Sequence, residues 1–383
     1  MRTRAGRART RVTRGGLFTK LPADLQLECL ARVPYADLCG GVIATCKTWK
    51  NIVLSKAYRE TRTAAGWTEY AVFMSLYGND KTECFLVTGS GAHRAAPRPA
   101  VNNSWTLKLW DEVYVVSDES YSYTPGFKHE DGMHVFDPRL NKWCKLTELV
   151  HVADGHVSEG ATAVASDSAG KLFVVGGCGA HSGSDSERRV HAYDPATDEW
   201  SRLPDQPRPA EWAGDVELDG RLYFYGTYED PASMAIFNPV SHTWETGPCL
   251  PHVPDAHELH AHITGFAREG CLVVMARFCL GSTDESIKYA AFVYDPSVGA
   301  WSEAPFPPAP VRAYRCTHID GTLFAFGSEG ADVRISDQDN PVFSPPENVR
   351  VVMLRPGSTT WVDLPMPDEM KCYGTRTAAV EVG

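Results

Sequence analysis

Two periodicities divide this chain. Over residues 21–56 the apolar positions Leu21, Leu25, Leu30 and Val33, then Val42, Ile43, Cys46, Trp49, Ile52 and Val53, recur at helical spacing, which places them along one stripe of successive helices. Pro22 suits a first helical turn, Pro34 ends that helix, and Asp37 can cap the next. Further along, short runs of β-branched and aromatic residues take over: EVYVVSD (112–118), KLFVVGG (171–177), RLYFYGT (221–227), CLVVMAR (271–277) and TLFAFGS (322–328). Continuous apolar runs of this length predict strands buried on both faces. Four of the five follow a glycine, in the pairs Ala169-Gly170, Asp219-Gly220, Glu269-Gly270 and Asp320-Gly321, the signal of a tight hairpin from a preceding strand.

Downstream of each run comes an eight-residue phrase: FDPRLNKW (136–143), YDPATDEW (193–200), FNPVSHTW (237–244), YDPSVGAW (294–301) and LRPGSTTW (354–361). Proline holds the third place, where its fixed φ suits the i+1 position of a type I turn. The sixth place is Asn141, Asp198, His242, Gly299 and Thr359, and the first four are residue types that tolerate the left-handed region. The phrase therefore predicts a strand end, a turn and a strand start, with the tryptophan packing its large apolar area at the beginning of the new strand.

Each unit thus holds four antiparallel strands, and the tryptophans recur at intervals of 57, 44, 57 and 60 residues. Four-stranded units at this period predict blades of a β-propeller. The units resemble kelch repeats, whose hallmarks are a diglycine after the second strand and a downstream aromatic–tryptophan pair. Gly176-Gly177 keeps the full diglycine, Tyr225-Gly226 and Phe326-Gly327 keep one glycine, and the first and fourth units read Ser117-Asp118 and Ala276-Arg277. Five phrases imply five blades. YAVFMSLY (70–77) and CFLVTGS (84–90) supply strands for a sixth that TRTAAVEV (375–382) completes, closing the ring and removing open edges.

The helical segment carries a second resemblance. Leu-Pro-x-x-Leu, a helix, Val-Pro, a second helix and then Cys46-Lys47-x-Trp49 is similar to an F-box, and the order of the two motifs is that of the plant F-box/kelch-repeat protein family. The expected fold class is mainly β, a kelch-type propeller of six blades preceded by a small three-helix F-box domain: a basic disordered arm at 1–16, the F-box at 17–60 and the propeller at 61–383. The resemblance implies that Leu21, Pro22, Leu25, Leu30, Val33, Cys46 and Trp49 occupy positions that face a Skp-type adaptor or the F-box core. It further implies a substrate-recognition subunit of a Skp–cullin–F-box ubiquitin ligase, binding adaptor and cullin through the F-box and an unidentified protein target through the propeller. Gly40-Gly41 departs from the family pattern; two interior glycines cost a helix roughly 1 kcal/mol each relative to alanine.

Antiparallel alternation sends the short 1–2 and 3–4 turns to one face of a propeller and the variable 2–3 and interblade loops to the other. Variable loops on a rigid scaffold are the usual place of recognition. Trp212, His260, Arg312, Tyr314, Arg315 and Tyr373 sit just before or at first strands on that face, and aromatic and arginine side chains are the preferred interface anchors. They are the expected target-binding residues.

Charge and chemistry narrow the remainder. Residues 1–16 hold six arginines and no acid, so the rest of the chain carries −17 against −11 overall. An acidic body argues against nucleic acid as the ligand, since that binding rests on neutralising phosphates. There is no apolar run of about 18 residues and no signal-peptide pattern, so neither a membrane span nor secretion is expected, and the expected location is cytoplasmic, nuclear or both. Eleven cysteines form no C-x-x-C pair, which reads as reduced, mostly buried thiols. In HVPDAHELHAH (252–262) the residue four after His257 is Ala261, so the zinc-protease pattern is incomplete. His260 and His262 alone do not make a metal site, and no metal or other cofactor is expected. No G-x-S-x-G, Cys–His constellation or Gly-rich phosphate loop appears, so the chain reads as a non-catalytic receptor subunit. The rival reading is a kelch-propeller enzyme or a ligase-independent protein-binding scaffold.

Overall fold

The computed structural model describes residues 21–43, 46–67, 69–77, 82–88, 91–96, 104–117, 133–147, 161–176, 188–208, 212–226, 233–251, 262–279, 287–304, 312–319, 322–328, 333–335, 341–343, 349–355, 357–364, 366 and 374–381. The arm at 1–16 lies outside them. The chain divides into two compact units, Met1–Glu69 and Tyr70–Val382, so the helical unit extends past residue 60. Among the described residues no helix is long and apolar enough to cross a membrane.

The helical unit contains α1 (Ala23–Ala31), α2 (Tyr35–Asp37), α3 (Lys47–Val53) and α4 (Lys56–Ala64). The two prolines take the N-cap positions of α1 and α2, where a missing N–H has no cost. Asp37, expected to cap the second helix, instead lies inside it. At the glycine pair α2 widens into a π-helical turn, Leu38–Val42; two residues with weak helical preference leave the tighter ladder easiest to disrupt there. The thiol of Cys46 accepts the Trp49 amide at 3.5 Å and caps α3, while Ser55 Oγ accepts the Tyr58 amide at 3.2 Å and caps α4. Leu30, Ala31, Leu38, Val53 and Tyr58 form the core, with Val33, Val42, Ile43, Trp49, Ile52 and Trp67 packed around it.

The second unit is six four-stranded antiparallel sheets. Blade 1 takes its first strand from the C-terminal end, Gly374–Glu381, followed by Tyr70–Tyr77, Thr82–Thr88 and Gly91–Arg94. The pairing runs from Tyr70 opposite Glu381 to Tyr77 opposite Gly374, the closure expected from TRTAAVEV. Blade 2 comprises Ser104–Leu109, Glu112–Ser117, Met133–Asp137 and Lys142–Leu146, and blade 3 Thr162–Ser166, Lys171–Val175, Val190–Asp194 and Glu199–Leu203. Blade 4 comprises Trp212–Leu218, Arg221–Gly226, Ser233–Asn238 and Thr243–Cys249, and blade 5 His262–Arg268, Cys271–Cys279, Ile287–Asp295 and Ala300–Glu303. Blade 6 comprises Arg312–Ile319, Thr322–Ser328, Val349–Leu354 and Val362–Leu364, with a small hairpin of Val333–Ile335 and Pro341–Phe343 inserted before its third strand. The six first strands neighbour one another in an unbroken ring. Second strands are buried on both sides, as in Leu172–Val175 and Leu222–Gly226, which is why they read as continuous apolar runs.

Candidate functional site

In four copies the repeated phrase folds as its residues predict. The first residue stands directly opposite the tryptophan in the pairs Phe136–Trp143, Tyr193–Trp200, Phe237–Trp244 and Tyr294–Trp301, with ring centroids 4.7–5.3 Å apart. Asn141, Asp198, His242 and Gly299 all have positive φ. The second place, unremarked in the sequence, matters as much. Oδ1 of Asp137, Asp194, Asn238 and Asp295 accepts the amide two residues on, at 2.8–2.9 Å, an Asx turn folded over the proline. The Ala196 amide is the main reason the Asp194 carboxyl is held below its ordinary range, and at Asp295 the Ser297 hydroxyl comes first. The fifth copy has Arg355 in that place, and its left-handed residue is Gly357 at φ 71° rather than Thr359.

In blades 2, 3 and 5 the phrase also ties the blade to the one before it. Trp143 Nε1 donates to the Ala96 carbonyl at 3.1 Å while the Ala96 amide donates to Asn141 Oδ1 at 2.6 Å. Trp200 and Asp198 grip Thr147 in the same two-point manner, at 3.0 and 2.9 Å. In blade 5 Trp301 Nε1 donates to the Pro248 carbonyl at 3.2 Å. There the gripped residue has no amide hydrogen and the turn residue, Gly299, has no side chain, so the second bond is missing from both sides at once.

The 1–2 turns on the same face are linked as well. Glu217 of blade 4 accepts Ser166 Oγ at 2.7 Å, the Asp167 amide at 2.7 Å, and Ser168 through its amide and hydroxyl at 3.2 and 2.7 Å. Asp167 in turn accepts the Trp110 amide at 2.7 Å and pairs with Lys108 of blade 2. Trp110 is 49% exposed, yet its ring lies against Gly170 and its Nε1 donates to the Asp167 carbonyl at 3.3 Å.

On the opposite face the expected target-binding residues do not form one described group. His260 and Tyr373 lie outside the described residues. Arg312, Tyr314 and Arg315 share the first strand of blade 6. Trp212 is a core residue, 7% exposed, packed on Phe224 at 5.7 Å between centroids, so it has little surface to offer a partner. Its Nε1 donates to Gln206 Oε1 at 3.1 Å. Gln206 is fully buried, donates Nε2 to the Gly176 carbonyl at 2.7 Å and its amide to the Arg188 carbonyl at 2.9 Å. This side chain organises the interblade connection after blade 3, and no local pattern in the sequence marks it.

The expected adaptor-facing residues separate into two groups. Pro22 and Leu25 are exposed, Leu25 by 42%, and Leu21 is half-buried; they present an apolar edge around the start of α1. Leu30 is buried at 2%, and Val33 and Trp49 pack against the same core, while Cys46 is half-buried at the α3 cap. Beyond residue 60, Arg62 is 2% exposed. Its Nη1 donates to the carbonyls of Ala31 and Val33 at 2.9 and 2.8 Å and to the Tyr58 hydroxyl at 3.2 Å, and its Nη2 to Glu69 at 3.1 Å.

Among the described residues no group of three or more His, Cys, Asp or Glu side chains is placed to hold a metal ion. Cys84 and Cys316 are buried free thiols, the latter pushed up to about 12 by burial. Cys29, Cys144 and Cys249 are exposed, so the described thiols are less buried than expected.

The Kelch motif matches residues 163–207, the span of blade 3. Two F-box/kelch-repeat proteins of Arabidopsis thaliana are each 26% identical to this chain, over 60% and 59% of it and 61% of each relative. The chain thus covers about three fifths of the length of these relatives. A third Arabidopsis thaliana protein of that name is 21% identical over 84% of this chain and 69% of its own length.

Proposed function

We propose, for a chain whose kelch motif and relatives support the plant F-box/kelch-repeat family, that it is the substrate-recognition subunit of a Skp–cullin–F-box ubiquitin ligase. The helical unit docks on the Skp-type adaptor and the propeller holds a protein target, so that the target's lysines stay close to charged ubiquitin. That is a proximity effect, with the chemistry supplied elsewhere in the complex.

The observation that carries the reading is the apolar edge at the start of α1. A unit of this size buries little of its own surface, and Leu25 remains 42% exposed on a helix whose other apolar face already fills the core. An adaptor gives that edge a partner, with the cullin joined through the adaptor. On the propeller, Arg312, Tyr314 and Arg315 are the proposed target contacts, joined by His260 and Tyr373.

Co-purification of the full chain with a purified Skp-type adaptor tests the reading. Binding is expected with the native chain and is expected to fall by at least about tenfold in Leu21→Ala/Pro22→Ala/Leu25→Ala, since truncating central anchors typically costs more than 1 kcal/mol each. A native chain that does not bind the adaptor, or a triple variant that binds as well as native, overturns it.

A further inference from the structure

We propose that Arg62 and Glu69 are positioning residues for adaptor docking, and that the docking unit therefore runs to Glu69; this rests on the adaptor reading above. The two side chains meet at the turn between α1 and α2. A helix leaves its last carbonyls and first amides without intrahelical partners. At this turn the local hold on the end of α1 is a backbone one, the Arg32 and Val33 amides on the Leu30 carbonyl, and Pro34 at the α2 N-cap makes no side-chain cap, so the Ala31 and Val33 carbonyls and the Tyr35 amide take partners from further along the chain.

Arg62 reaches the α1 end from 31 residues away, donating to the Ala31 and Val33 carbonyls. Glu69 reaches the α2 start, where its Oε2 accepts the Tyr35 amide at 2.5 Å and places negative charge at a helix N-terminus, the favourable end. The Arg62–Glu69 ion pair at 3.1 Å joins these two holds into one clamp. The segment that presents Glu69 is itself pinned. The Trp67 amide donates to the Arg62 carbonyl at 2.9 Å, and its ring lies 4.8 Å beneath the Arg32 guanidinium.

The clamp closes across residues 32–34, so it sets the angle at which α1 leaves α2. Leu25 and its exposed edge lie on α1, while the Val33–Pro34 step lies within the clamp. Arg62 is too enclosed to touch an adaptor. Its effect on docking passes through the geometry of the turn, and a planar five-donor fork suits that task where an ammonium does not.

The test uses the full chain and a purified Skp-type adaptor, with binding measured by calorimetry and exchange of the Tyr35 amide followed in parallel. Glu69→Ala is expected to weaken adaptor binding by about tenfold, within the range of coupling between residues in one network, and to expose the Tyr35 amide to exchange. Glu69→Gln keeps an acceptor for both donors and is expected to restore most of the binding and the protection. Where Glu69→Ala loses its helices altogether, the comparison of Glu69→Gln with Arg62→Lys carries the test, the glutamine variant binding and the lysine variant weakened. If the native chain binds the adaptor and Glu69→Ala and Arg62→Lys bind equally well, the positioning role is refuted while the adaptor reading stands. If the native chain does not bind, both fall.

Discussion

The two-point grip on Thr147 predicts that the phrase stabilises the propeller through one side-chain oxygen and one indole hydrogen. Asp198 Oδ1 accepts both the Thr147 amide at 2.9 Å and the Tyr193 hydroxyl at 2.7 Å. Asp198→Gly keeps the backbone at φ 54° free of strain and removes the acceptor of both bonds. At a net 0.5–1.5 kcal/mol per bond, and with water able to replace part of each at this partly exposed site, the loss is about 1–2 kcal/mol. Asp198→Asn retains Oδ1 in the role Asn141 plays one blade earlier and is expected to stay within about 0.5 kcal/mol of native. Asp198→Ala adds to the lost bonds the left-handed cost of a non-glycine residue, roughly 1 kcal/mol more. Trp200→Phe loses the donor to the Thr147 carbonyl, about 1 kcal/mol, and with it part of the indole's packing in the core, where Trp200 is buried, roughly 1–2 kcal/mol more. Because both partners hold the same residue, the double variant Asp198→Gly/Trp200→Phe is expected to depart from additivity by at least about 0.5 kcal/mol. Urea midpoints at unchanged slope measure each value. An asparagine variant as unstable as the glycine variant, or strict additivity in the double, refutes the clasp.

Two further outcomes follow from packing and charge. A Cβ at Gly265 would stand 2.6 Å from the Tyr225 hydroxyl, so Gly265→Ala is expected to cost about 1–3 kcal/mol; thermal unfolding should show part of this recovered when Tyr225→Phe is added, and no recovery would sink the steric account. Burial, then Arg202 and Arg189, hold the His191 imidazole below its ordinary 6.5, with Asp205 opposing them. The unfolded chain therefore binds the proton first, and stability falls as pH drops below about 6.5; His191→Gln should flatten that limb of the urea midpoint against pH, and an unchanged slope would show that other groups set it.

Strand runs, hairpin glycines and the proline of the phrase were legible because each acts on its own neighbours. The sixth blade was legible from apolar strands at both ends of the unit, and they pair from Tyr70 to Tyr77 as expected. The fifth phrase misled because Gly357, two places before Thr359, takes the left-handed conformation without a side-chain penalty. The Asx residue at the second place was written four times in the sequence, as Asp137, Asp194, Asn238 and Asp295, and was recoverable. Gln206, Arg62 and Glu69 were not. Their partners lie up to 34 residues away, and a long-range polar contact leaves no periodicity. Trp212 illustrates the reverse difficulty: an aromatic residue beside a loop reads as an anchor until its burial and its bond to Gln206 are known.

The polar links on the turn face bear on where a target protein can be held. A binding surface needs polar groups whose hydrogen bonds are still available, since a group already satisfied gains little from a new partner. On the turn face the carboxylates of Asp167 and Glu217 are taken up by backbone amides, hydroxyls and Lys108. The Asx oxygens hold their own turns, and three indole hydrogens are committed to the neighbouring blade. Even the exposed Trp110 is fastened through its ring nitrogen. Among the described residues, repetition has therefore committed many of this face's polar groups to joining blade to blade. The connections on the other face differ in length and composition from one blade to the next, and variable loops on a rigid scaffold are the usual place of recognition, so a target held by the propeller is expected there.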